Sequence, residues 1–154
     1  MTYTAQMLET YPADVHLDHR RLASVIDRLT ACAQACAACA DACLSEPAEE
    51  LPRLARCIRD TMDCADICHA TAAVLSRHTG YDASLTHAQV QAAVQATTTC
   101  GDSCAEHAEA HEHCRICMQA CREAEEAMTG LLPELQPSGR APSSPSRTAP
   151  QQQG

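Results

Sequence analysis

Between residues 32 and 43 a cysteine recurs at alternating steps of four and three: Cys32, Cys36, Cys39 and Cys43. Such steps stay on one face of an α-helix, whereas on a strand they would scatter the thiols over both faces. The stripe runs back without a break through Leu29, Val25 and Leu22. The same alternation returns three times: Leu54, Cys57, Thr61, Cys64, Cys68, Thr71 and Leu75; then Val90, Val94, Thr97, Cys100, Cys104 and His107; then Cys114, Cys117, Cys121, Ala124 and Met128. All twelve cysteines lie on these four stripes. Phe and Trp are absent, so Leu, Val, Ala and Cys must build the core.

The punctuation between stripes gives the organisation. Tyr3, Met7, Leu8 and Tyr11 fall at helical spacing, and Pro12 ends a short leading helix within residues 1–13. Asp14 is the expected N-cap of a long helix from about Val15 to Leu44. Ser45 to Pro52 supplies a turn, and a second helix is expected to run to about His78, before Gly80. Thr86 with Gln89 has the capping-box pattern and opens a third. No proline follows until after Gly130, and one helix that long would reach about 65 Å at 1.5 Å per residue. The stretch is therefore expected to fold back. The weak helix formers of 97–101 and the polar run 106–113 compete as the break; the second gives more even helices, 85–108 and 111–130. Residues 133–154 turn to Pro, Ser, Gln and Gly with no apolar period, which predicts a disordered tail. The fold class is all-α: an antiparallel up-down four-helix bundle over 14–132, preceded by a short N-terminal helix.

A formal charge of −9, with few aromatics, argues against nucleic acid as a partner. No run of about 18 apolar residues predicts a membrane span. The first ten residues show no basic n-region, twin arginine or apolar h-region, which predicts a cytoplasmic protein. Thiols stay reduced there, which favours metal over a disulfide scaffold. Within the run from Cys32 to Cys43, thiols four apart on a helix have Cβ atoms about 5–6 Å apart. A disulfide needs about 3.8 Å, so none closes there without unwinding the helix, although bridges between helices stay open under oxidation.

Soft thiolates select Cu(I), Zn(II) or iron–sulfur clusters. Zinc on four thiolates leaves two negative charges, which is costly to repeat through a buried core. Cu(I) accepts two or three bridging sulfurs, and one ion per thiolate leaves the core neutral. Cys32-x3-Cys36-x2-Cys39 also has the radical-SAM spacing, but on an Ala-rich helix instead of a glycine-rich loop. An iron–sulfur cluster across the bundle, or thiol redox chemistry with the same cysteines, is the alternative. A Cys/His copper-sensing repressor is a third reading that the acidic charge disfavours.

The ordered set Cys32-x3-Cys36-x2-Cys39-x3-Cys43, Cys64-Ala-Asp-Ile-Cys68, Cys100-Gly-Asp-Ser-Cys104, a His-rich turn and Cys114-x2-Cys117-x3-Cys121 resembles the cytosolic copper storage proteins over about residues 15–130. The resemblance implies a non-enzymatic store of many Cu(I) ions per chain, on thiolates lining a four-helix lumen. It also implies a homotetramer and exchange with copper carriers, of which a cytosolic copper chaperone is a candidate. Thr61 departs from the pattern, standing where a further cysteine would fit.

Chain direction adds the entrance. In an up-down bundle Cys43, Cys57, Cys104 and Cys114 share one end, with His107, His111 and His113 just beyond, while Leu22, Val25, Leu29, Leu75, Val90 and Met128 plug the other. Copper is expected to enter at the histidines, reach Cys57 and Cys114 next, and pass to Cys104 and Cys43. The candidate ligands are thus Cys32, Cys36, Cys39, Cys43, Cys57, Cys64, Cys68, Cys100, Cys104, Cys114, Cys117, Cys121, His107, His111 and His113. His16, His19, His69, His78 and His87 are expected at the surface, and Met62 and Met118 in core packing.

Overall fold

The computed structural model describes residues 1–137. A short helix, α1 (Tyr3–Glu9), leads into four long ones: α2 (His19–Leu44), α3 (Leu51–Leu75), α4 (Ala83–Ala105) and α5 (Glu112–Leu131). A 3-10 turn, Leu132–Leu135, follows, and there is no strand among the described residues. α2 packs on α3 and α5, and α4 packs on the same two, so the diagonal pairs face each other across a central lumen. The chain is an all-α four-helix bundle with a short N-terminal helix.

The helix starts differ from the sequence expectation in instructive ways. α2 begins at His19, not Val15, because Asp18 and not Asp14 is the cap: its carboxylate accepts from the Arg21 N–H at 2.7 Å. Residues 15–18 instead bring Leu17 into the core. Asp82 caps α4 by accepting from the Leu85 N–H at 2.9 Å, so the Thr86–Gln89 capping box does not form. Thr86 lies inside the first turn, donating to the Asp82 carbonyl, and Gln89 reaches across to the Thr71 hydroxyl at 2.9 Å. α3 ends at Leu75, three residues earlier than expected, and Gly80 turns the chain with a φ of 65° that an L-residue rarely adopts.

The second long segment breaks within 106–111, as the polar run predicts. The threonines of 97–101 stay helical because Thr97 and Cys100 are packed inside the bundle, and the hydroxyls are satisfied within the helix: Thr97 donates to the Ala93 carbonyl at 3.0 Å and Thr98 to that of Val94 at 2.8 Å. Packing also runs past residue 132. Leu135 is fully buried, so 133–135 belong to the packed part and not to the expected tail; residues 138–154 lie outside the described residues. In α1 only Leu8 is buried, whereas Tyr3 and Met7 are exposed.

The half of the bundle remote from the histidines is an ordinary core. Leu22, Val25, Leu29, Leu75, Val90, Met128, Leu131 and Leu135 are all buried. Each such side chain contributes on the order of 1.5–3 kcal/mol when removed from water. By hydropathy α2 is long and apolar enough to cross a membrane, but its buried residues, Leu22 to Cys43, are the face turned into this bundle. The apolar half requires no metal, so reduced, metal-free protein is expected to give a strongly helical far-UV circular dichroism spectrum. A coil spectrum that becomes helical only with copper would contradict this.

Candidate metal centre

All twelve cysteines are buried and none is in a disulfide. The helical stripe aims each thiol into the lumen, where the four helices bring sulfurs from distant parts of the chain together. At the inner end Cys32 and Cys36 of α2 meet Cys64 of α3 and Cys121 of α5, with donor atoms within 4.8 Å of one another. One turn nearer the mouth, Cys36 and Cys121 are joined by Cys100 and Cys117. A third group is Cys39, Cys104 and Cys117, and a fourth is Cys39, Cys43, Cys114 and His113. Cys68 adjoins the inner end through Cys64 at 3.8 Å, and Cys57 adjoins the mouth through Cys104 at 3.6 Å.

These groups are not separate sites. Cys36 and Cys121 belong to two of them, as do Cys39 and Cys117. The result is one chain of shared sulfurs from Cys32 to His113. Without metal, most such thiols resist ionisation. Burial, and then the neighbouring Cys57, push the Cys43 thiol up; hydrogen bonds with Cys32 and Cys64, and then burial, do the same to Cys68. Binding a soft cation therefore displaces protons.

At the mouth His113 turns its Nδ1 towards the sulfurs, 3.5 Å from Cys39 and Cys114 and 3.9 Å from Cys43. Its Nε2 lies 2.9 Å from Glu46 Oε1, and His111 Nδ1 lies 3.1 Å from the same oxygen. The two rings stack at 5.4 Å between centroids. The hydrogen bond to His113, together with the charge of both imidazoles, holds the Glu46 carboxyl below the usual carboxylate range.

A sequence model of the copper storage protein family matches residues 18–133. The chain belongs to the copper storage protein family. Among solved structures, the copper storage protein Ccsp of Streptomyces lividans loaded with 10 copper equivalents is 55% identical, with a TM-score of 0.82 over 85% of this chain and 98% of that one. A histidine-to-alanine variant of Ccsp is also 55% identical, at a TM-score of 0.75 over 79% of this chain and 99% of that one. A cytosolic copper storage protein from the same organism, with five coppers, is 57% identical at 0.72 over 74% of this chain and 93% of that one. No curated protein matches.

All twelve thiols lie inside, as the helical stripes predict. The thiols within 4 Å of His113 are Cys39, Cys43 and Cys114: the expected Cys114 is there, while Cys39 and Cys43 take the place expected of Cys57, which lies within the electrostatic reach of His107. His111 and His113 converge on one carboxylate; His107 stands half-buried in the turn, outside the clusters formed by the described residues. Thr61 is fully buried at its lumen position, where its hydroxyl donates to the Cys57 carbonyl at 2.8 Å. Leu54, which opens the α3 stripe, is buried at the mouth end. His78 is half-buried, edge-on to the Tyr11 ring at 5.2 Å, and not a free surface residue, because the turn at Gly80 folds it against α1. Met62 is exposed, since it sits two positions away from the Cys64 stripe, while Met118 packs partly against the core.

The residue that sequence reasoning missed is Glu46. It lies in the turn from Ser45 to Pro52, and that turn carries it over the mouth. Its place three residues after Cys43, at the end of the bundle shared with the His-rich turn, is the signal that could have found it.

Proposed function

We propose that the chain is a non-enzymatic store and buffer of Cu(I) in the cytosol, holding several ions per chain on its twelve lumen thiolates. The observation that carries this reading is the sharing of sulfurs between successive clusters, since Cu(I) accepts bridging thiolates and repeated four-thiolate Zn(II) sites would bury excess charge. The copper-loaded relatives of Streptomyces lividans support it. Anaerobic addition of Cu(I) to the reduced protein should give tight binding with no visible colour. A brown protein that takes up iron and sulfide and refuses Cu(I) would establish the iron–sulfur alternative. A homotetramer, and delivery by a cytosolic copper chaperone, complete the proposal.

His107, His111 and His113 are the entrance in this reading. A neutral imidazole at a turn exchanges Cu(I) faster than a buried thiolate cluster does. Stopped-flow uptake by a His107→Ala, His111→Ala, His113→Ala variant is expected to be several-fold slower than by the native protein, with final capacity almost intact. Equal rates would place the entrance elsewhere, and a large loss of capacity would make these residues storage ligands.

A further inference from the structure

Both imidazoles at the mouth use the same carboxylate oxygen, but they present opposite ring nitrogens to it. Glu46 Oε1 lies 2.9 Å from Nε2 of His113 and 3.1 Å from Nδ1 of His111. An ionised carboxylate only accepts hydrogen bonds, so each ring must place its N–H on the nitrogen that faces Glu46. In the neutral form this leaves His113 with its lone pair on Nδ1, the atom 3.5 Å from the Cys39 and Cys114 sulfurs. In His111 the lone pair falls on Nε2, on the side of Glu50, whose carboxylate is 3.9 Å away.

We propose that Glu46 is a positioning residue for copper transfer, which fixes the two histidines in opposite tautomers so that His113 presents a free Nδ1 to Cys39, Cys43 and Cys114 while His111 presents Nε2 on the outer side. The proposal rests on the histidine entrance argued above. Glu46 itself is not required as a ligand. It acts as outer-shell carboxylates do on metal-binding histidines, by orienting the ring and settling which nitrogen is available. The other tautomer of His113 would aim an N–H at the sulfurs, and copper would have to wait for a proton to move or for the ring to flip. The loop 45–50 holds the carboxylate in place: Ser45 and Glu46 donate their N–H groups to the last carbonyls of α2, Ala42 and Cys43.

Two measurements test this. Long-range 1H–15N correlation spectra of the reduced, metal-free protein report which ring nitrogen carries the proton. His113 is expected to be the Nε2–H tautomer in the native protein and a mixture in Glu46→Ala. Glu46→Gln retains an acceptor oxygen at the same place and is expected to restore the native pattern. In stopped-flow experiments with Cu(I), Glu46→Ala should slow uptake several-fold, Glu46→Gln should recover most of the rate, and Glu46→Ala added to the pair His111→Ala, His113→Ala should be no slower than that pair alone. His113 remaining the Nε2–H tautomer in Glu46→Ala would overturn the proposal. So would further slowing when Glu46→Ala is added to the paired histidine variant, or a Glu46→Gln variant as slow as Glu46→Ala. If His113→Ala leaves uptake unchanged, the entrance reading fails by itself, and the tautomer spectra still decide what Glu46 does.

Discussion

Titrated anaerobically with Cu(I) against a competing chelator, the reduced protein is expected to take up well more than three ions per chain and to approach about one per thiol, the ratio at which Cu(I) and thiolate charges cancel. Three is the ceiling for isolated sites: twelve thiols divided four to a metal. The lumen is not built for isolated sites. Cys36, Cys39, Cys117 and Cys121 each belong to two clusters, and such sharing is useful only to a metal that tolerates bridging sulfur. Charge points the same way, because all twelve sulfurs are buried and any excess of thiolate over cation would have to be held in a low-dielectric interior. Saturation near three per chain would contradict the prediction.

The part of this arrangement legible in the sequence is the part set by helical periodicity. The spacing of Cys32, Cys36, Cys39 and Cys43 fixes their common face, and an up-down bundle has only one place to put four such faces. The four stripes accordingly lie inside, apart from Val94 and His107, which are half-buried. That the stretch folds back is legible from its length, and of the two competing breaks the polar run 106–113 is the one the chain uses, between Ala105 and Glu112. What the sequence does not disclose depends on local competition or on side-chain reach. Asp14 and Asp18 are equally good caps by residue type, and the choice falls to whichever lets Leu17 pack. Thr97 and Thr98 look like helix breakers, yet Thr97 is packed inside the bundle and both hydroxyls find carbonyls one turn back. Glu46 escapes because its partners lie 65 and 67 residues away, and no periodicity links a loop carboxylate to a distant imidazole. The order of thiols behind His113 depends on the same reach: Cys57 lies at the right end of the bundle, yet its sulfur pairs with Cys104 while Cys39 and Cys43 sit beneath the ring.

Replacing the three thiols of α5 with serine is expected to weaken Cu(I) retention against a competing chelator several-fold more than replacing the three of α3, because charge sets how many ions the thiolates hold while bridging sets how firmly they are held. The two variants lose equal numbers of sulfur atoms: Cys114, Cys117 and Cys121 in one, Cys57, Cys64 and Cys68 in the other. Their places in the network differ. α5 contributes a sulfur to every one of the four thiol clusters, whereas α3 contributes to only one, through Cys64. Losing a shared sulfur removes a ligand from two ions at once; losing a peripheral one leaves its neighbours bridged. Serine is the appropriate substitute because the lumen already houses hydroxyls. Thr61 and Thr71 donate theirs to the carbonyl four residues back, at 2.8 and 2.7 Å, so a buried serine can be satisfied in the same way and the helix retained. Circular dichroism of both variants should therefore stay helical while their Cu(I) titrations diverge. Equal retention in two folded variants would mean that each thiol holds its own copper, and that the shared sulfurs are an accident of close packing.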